Sequence, residues 1–257
     1  MSNLQTVSNF MQSDAVKDKF EKVLDKNAGA FISSVITTLN SNDMLKDATR
    51  DSVYGAALMA ATLDLPLGVG HAYIVPFKNT KKGCTEAQFQ VGYKGLKQLA
   101  IRSGQFRKMQ QKKVYEGQIV DEDSFLGYTF DWSNKKSDKI IGYASYFELL
   151  NGFESVYYMT VEECKKHAME FSQSYRNPKT RPYSLWEKSF DKMAIKTVTK
   201  LHLNSGEAPL SVDVRNAMKA DQGVVKNVDE MKIDYVDNQE EEPIQEADVV
   251  NEENKAK

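Results

Sequence analysis

The stretch from Gln88 to Gln118 constrains the fold most, because the period of its apolar residues changes partway along it. Phe89 and Val91 alternate with Gln88 and Gln90, the period of a half-buried strand. Gly92 breaks that pattern. From Tyr93 the residues Leu96, Leu99 and Ala100 recur at helical spacing while Lys94, Lys97 and Gln98 point elsewhere, which predicts a short amphipathic helix ending at Gly104. Strand, glycine turn and helix follow one another here. Arg102, Arg107, Lys108, Lys112 and Lys113 then follow with no acid before Glu116. Such a run is either a solvated face or a surface that a nucleic-acid backbone tracks.

The flanking sequence supports the mixed class. Residues 1–13 are polar and expected to be loose, and helices are predicted from Asp14 (Val16, Phe20, Val23, Leu24), through Phe31 to Leu39, and from Thr49 to the alanine-rich end at Leu63. Pro66 and two glycines in LPLGVG stop the last of these. Strands are predicted over His71–Phe77, Lys112–Tyr115, Ser124–Trp132, Ile140–Leu150 and Glu154–Met159, with Asn151-Gly152 as a type I′ turn. The expectation is a strongly curved antiparallel sheet. Thr160 and Glu163 fit a capping box opening a helix to about Ser172, and Ser174–Ser184 is expected to be an exposed loop carrying Arg176, Lys179 and Arg181. Tyr175 and Tyr183 in that loop are the better candidates to stack on bases; Trp132 and Trp186 are assigned to the core.

From Ser184 a single helix is predicted, with Trp186, Phe190, Met193, Ala194, Thr197 and Leu201 on one face and Lys188, Lys192, Lys196 and Lys200 recurring every four residues. Like charges at that spacing cost a few tenths of a kcal/mol per pair, so the row favours an anionic partner over a solvated face. A short helix from Pro209 to about Ala220 completes the body.

Charge is distributed unevenly. Residues 221–257 hold 12 acids and 4 bases, a net of −8, leaving 30 bases and 24 acids, a net of +6, in residues 1–220. The expected organisation is a helical segment over 1–64, a nucleic-acid-binding core over 65–220, and a disordered acidic tail over 221–257 that is dispensable for function but tunes it, either by competing with nucleic acid for the basic body or by docking a partner. No apolar run is long enough to span a membrane, and the N-terminus lacks a signal-peptide core, so a cytoplasmic protein is expected. Cys84 and Cys164 form no C-x-x-C pair, His71, His167 and His202 share no metal spacing, and there is no phosphate-loop motif. Glu163-Cys164-Lys165 has the letters of a nuclease acid–lysine pair, but Glu163 is accounted for by capping. No catalytic residue, metal or cofactor is predicted.

Three separated motifs, LPLGVGHAYIVPF, VGYKGLKQLAIRSGQ and LWEKSFDKMAIKT, resemble the RecT family of phage single-strand annealing proteins, related to the Redβ recombinase, over most of Leu65 to Met218. The chain looks like a version from a Gram-positive bacterium or its prophage. The resemblance implies an α+β core with an antiparallel β-sheet backed by helices, distantly like the Rad52 annealing fold. It also implies an ATP-independent protein that coats single-stranded DNA, pairs it with its complement and assembles into rings or helical filaments, with an exonuclease and the host single-strand binding protein as possible partners. By motif position it points to Lys94, Lys97, Arg102, Lys188, Lys192 and Lys196 as DNA-binding. Local charge adds Arg107, Lys108, Lys112, Lys113, Arg176, Lys179, Arg181 and Lys200. A passive single-strand coating protein and a metal-dependent nuclease are the competing readings.

Overall fold

The computed structural model describes residues 3–123 and 127–235. Five helices open the chain: α1 (Asn3–Met11), α2 (Asp14–Leu24), α3 (Ala28–Asn40), α4 (Asp43–Lys46) and α5 (Arg50–Thr62). The first of them overturns the expectation of a loose N-terminus. Val7 and Met11, four residues apart on one helical face, are fully buried. Helix α5 is buried nearly all round, its small side chains letting neighbouring backbone approach. A Cβ at Gly55 would overlap the carbonyl oxygen of Val225.

After α5 come β1 (Ala72–Asn79) and β2 (Cys84–Val91), an antiparallel hairpin in register from Ala72 opposite Val91 to Asn79 opposite Cys84. Helix α6 (Tyr93–Arg102) follows, and Gly104 closes it with φ +71°. The loop before β1 is locked to the start of α6, with Gly92 N donating to His71 O at 2.7 Å and Lys94 N to Gly70 O at 3.1 Å. Glycine is required at Gly92 and Gly95, where a Cβ would strike the Gly70 and His71 carbonyls.

The next strands are β3 (Phe106–Tyr115), β4 (Ile119–Asp123), β5 (Gly127–Phe130), β6 (Ile140–Leu149) and β7 (Glu154–Thr160). Strands β3, β6 and β7 form a sheet with β6 in the middle, and β4 pairs with β5. All these pairings are antiparallel, as expected, but the strands are divided among small separate sheets. Of the predicted Ser124–Trp132 strand, residues 124–126 lie outside the described residues and Trp132 lies beyond β5. The Asn151-Gly152 turn is not type I′, because only Gly152 has positive φ, +86°. Leu149 O accepts from Gly152 N at 3.0 Å, the arrangement of a tight turn followed by a left-handed glycine.

The C-terminal half contains α7 (Val161–Phe171), α8 (Gln173–Arg176), α9 (Leu185–Lys188), α10 (Phe190–Leu203) and α11 (Val212–Ala220), then the hairpin β8 (Val224–Asn227) and β9 (Lys232–Asp234). The Thr160–Glu163 capping box opens α7 as predicted, with reciprocal bonds of 3.1 and 2.7 Å. The predicted single helix from Ser184 is instead broken at Ser189, where φ −145° and ψ 48° leave the helical region.

Two apolar clusters hold the molecule together. The larger joins the N-terminal helices, the β1–β2 hairpin, α6 and residues as distant as Val225 and Val228, so it crosses the boundary expected near residue 64. The smaller joins Tyr143, Met159, Cys164, Trp186, Ala194 and Val198 beneath the three-stranded sheet. Beside it His202 is fully buried, its two ring nitrogens 3.0 Å from Ser145 Oγ and 2.9 Å from Ser155 Oγ, its ring stacked on Phe147.

Burial pushes the His202 pKa down to about 4, with nearby Glu207 opposing only part of the effect. The native imidazole is therefore neutral where the unfolded one, near 6.5, is already taking up a proton. Stability from His202 is present above about pH 6.5 and lost as pH falls toward 4, in total on the order of 3 kcal/mol. His167, also lowered by burial, acts in the same direction. Denaturant unfolding at pH 7 and pH 4.5 should show this loss, and His202→Gln should flatten it; equal stabilities at both pH values in the unaltered protein would contradict it.

Candidate nucleic-acid interface

Strand β3 is an edge strand with two unlike faces. On the inner face Met109 and Lys113 lie opposite Phe147 and Tyr143 of β6, and α10 covers them. Asp191 at the start of α10 accepts from Tyr143 Oη at 2.6 Å and also pairs with Lys113. Burial alone would raise the Asp191 pKa, but the Lys113 ammonium and the Tyr143 hydroxyl outweigh it and hold the carboxyl below its ordinary value. Lys113 therefore fastens the sheet edge to the helix.

The outer face bears Lys108, Gln110 and Lys112 on β3, Ala144 and Tyr146 on β6, and Val156 and Tyr158 on β7. Lys108 Nζ lies 5.8 Å from the Tyr146 ring centre and Lys112 Nζ 5.4 Å from that of Trp132. Tyr128 and Phe130 of β5 pack edge-on against Tyr158 at 4.7 and 5.7 Å, and Phe130 stacks on Trp132 at 4.9 Å. Trp132 remains 39% exposed and Val156 43%. Aromatic rings and ammonium groups alternate on an accessible sheet face, the combination that binds single-stranded nucleic acid through base stacking and phosphate neutralisation. Glu148 and Glu154, opposite one another, make the far end of this face acidic.

The structure divides the basic residues predicted from the sequence into two groups. Arg102 donates to Leu63 O at 2.8 Å and Asp64 O at 2.7 Å, closing the end of α5. Arg176 does the same for α7 through Met169 O and Glu170 O. Arg181 donates to Tyr175 O at 2.7 Å, and Arg107 pairs with Glu148 at 2.8 Å. Lys196 and Lys200 turn inward to the fully buried carboxylate of Asp221, at 2.9 and 3.1 Å. Together with Lys113, these seven are engaged within the fold. Among the described residues no carboxylate forms an ion pair with Lys94 or Lys97 on α6, with Lys108 or Lys112, or with Lys179, Lys188 or Lys192.

The lysine row is thus not a continuous stripe. Ser189 separates Lys188 from the rest, and Asp221 relieves the repulsion between Lys196 and Lys200. The aromatic expectations also change. Tyr175 is buried at 9% exposure, whereas Tyr183 is 75% exposed with Lys188 Nζ 5.5 Å from its ring centre. Trp186 is core as predicted; Trp132 is not. The proximity of Lys112 in sequence to the Gln118–Trp132 hairpin is the only signal that could have placed Trp132 beside the basic run.

Asp221, expected to begin a disordered tail, is a structural residue. Besides the two lysines it accepts from Val91 N at 3.1 Å, and its neighbours Gln222 and Gly223 exchange backbone bonds with Phe89 at 2.9 and 3.0 Å. Residues 236–257, the rest of that tail, lie outside the described residues. No helix among the described residues is long and apolar enough to cross a membrane.

Comparison with known proteins extends the likeness beyond the motif region. The model of the RecT family matches residues 29–251. The uncharacterized protein YqaK of Bacillus subtilis (strain 168) is 37% identical over 216 residues, 83% of this chain and 71% of that protein. Protein RecT of Escherichia coli (strain K12) is 32% identical over 125 residues, 46% of this chain and 45% of that protein. With a family match that takes in α3, the β1–β2 hairpin, the three-stranded sheet and the segment beyond Ala220, the chain belongs to the RecT family.

Proposed function

We propose that this chain binds single-stranded DNA and pairs it with a complementary strand without ATP. Family membership supports a recombination-related single-strand annealing protein. The observation that carries the reading to this chain is the outer face of β3–β6–β7, where Lys108 and Lys112 have no carboxylate partner among the described residues and stand over aromatic rings. Two DNA strands repel through their phosphates. A surface that neutralises one backbone and offers flat rings to its bases lowers the barrier to approach of the second, and bases left free can sample register. No covalent bond is made or broken.

In this reading the protein works in the host cytoplasm as a ring or helical filament of identical chains, with an exonuclease and the host single-strand binding protein as partners. Mixing fluorescently labelled complementary strands with and without protein, in the absence of nucleotide, tests it. Pairing should accelerate at intermediate protein-to-DNA ratios. Tight binding that slows pairing at every ratio would make the chain a passive coating protein, and Mg²⁺-dependent loss of labelled strand would make it a nuclease.

A further inference from the structure

At the Tyr115 end of β3 an open cleft of about 310 Å³ is walled by Lys112, Lys113, Tyr115, Gln118, Trp132 and Lys135. Its aromatic wall is held in place from several sides. The buried carboxamide of Gln118 accepts from Tyr115 N and donates to Trp132 O, both at 2.8 Å, bridging the strand end to the segment that carries the indole. Asn134 donates to Gly117 O at 2.9 Å, and Asp131 N to Gln118 O at 2.9 Å. Gly117 has φ +93°, and a Cβ there would come within 2.6 Å of Asn134 O, so this junction requires glycine. Phe130 stacks on one face of the indole, the two planes only 9° apart.

The cations of the cleft differ in their freedom. Lys113 is engaged by Asp191, and Lys135 is shared between Asp138 at 2.5 Å and the Tyr115 ring at 4.0 Å. Among the described residues no carboxylate pairs with Lys112, which stands over the Trp132 ring. A fixed, exposed indole with an ammonium over it that no carboxylate among the described residues holds matches a nucleotide: a base displaces the ammonium from the ring, and the ammonium moves to the adjoining phosphate. A cleft of this volume lies at the lower end of the range of small-ligand sites, room for one such unit and not for several.

We propose that this cleft seats one nucleotide of the bound single strand, with its base stacked on Trp132 and an adjoining phosphate against Lys112. The proposal rests on the single-strand reading above and assigns it a point of base contact. Trp132→Ala and Trp132→Phe in the full chain are compared with the unaltered protein on a labelled single strand and on an otherwise identical strand lacking bases. Stacking predicts that Trp132→Ala weakens binding to the base-bearing strand about 10-fold, that Trp132→Phe recovers most of it, and that on the abasic strand all three bind within about two-fold of one another. In a Trp186→Phe background Trp132 is the sole indole, and its fluorescence should be quenched by the base-bearing strand and not by the abasic one. Equal binding of Trp132→Ala and the unaltered protein to the base-bearing strand overturns the pocket, as does an equal loss on both strands. Failure of the unaltered protein to bind either strand overturns the single-strand reading and the pocket with it.

Discussion

Truncation after Ala220 is expected to unfold the protein. The reason lies in residues 221–235, which the acidic composition would assign to a tail. Val224 and Val225 are fully buried, and Val225 packs where α5 lacks a side chain at Gly55. Asp221 is the centre of the effect. Burial raises its pKa, but the two ammonium groups of Lys196 and Lys200 outweigh the burial and hold it below the ordinary carboxylate value. Removing the charge leaves the inward-facing Lys196, its side chain only 11% exposed, without its partner. Breaking a buried pair in this way costs about 3–5 kcal/mol, so Asp221→Ala should remove a large part of the stability of an ordinary domain. Because the pKa is depressed, this stabilisation is present above about pH 4 and is lost as pH falls through the folded value. Denaturant melts of the truncation and of Asp221→Ala decide the matter. A folded truncation ending at Ala220 would return the segment to the status of a tail.

The features legible in the sequence are those that depend on local period and punctuation. The β2–Gly92–α6 passage, the Thr160 capping box and strands β6 and β7 each follow from neighbours within a few residues, whereas of β3 the sequence predicts only the Lys112–Tyr115 end. Features decided across the fold are hidden. The apolar period of Trp186, Phe190, Met193 and Ala194 runs through Ser189 without interruption, so nothing local marks the break between α9 and α10. Lys196 and Lys200 look like a surface row because Asp221 lies 25 and 21 residues downstream of them, in a segment whose composition resembles a disordered tail. Arg102, Arg176 and Arg181 are indistinguishable by sequence from phosphate ligands, yet each spends its donors on backbone carbonyls, 6 or 7 residues away for Arg176 and Arg181 and 39 residues away, at Leu63, for Arg102. Charge density points to the stretch from Lys108 to Lys113, which forms the edge of the candidate interface. It cannot separate the lysines that hold the fold from those that no carboxylate engages.

That separation gives the second large effect. Lys108, Lys112, Lys188 and Lys192 have no carboxylate partner among the described residues, and the first three stand over the aromatic rings of Tyr146, Trp132 and Tyr183. Their charges cost little to leave unpaired in water, so replacing all four by Ala should change folding stability by no more than about 0.5 kcal/mol per site. Each phosphate deprived of its lysine should reduce the slope of log affinity against log salt by roughly 0.7, the single-strand value, or about 3 for the four together. At low salt the quadruple variant should bind single-stranded DNA orders of magnitude more weakly, and the difference should shrink as salt rises. Lys196→Ala should do the reverse, since it takes from the buried Asp221 the nearer of its two ammonium partners, leaving Lys200, and lowers stability by about 1.5–3 kcal/mol while the variant keeps the salt slope. Fluorescence anisotropy across a salt series, paired with denaturant melts of the same samples, measures both quantities. An unchanged slope in a folded quadruple variant would assign these lysines to a solvated face and move the DNA path to Lys94, Lys97 and Lys179, the remaining predicted cations that no carboxylate engages among the described residues.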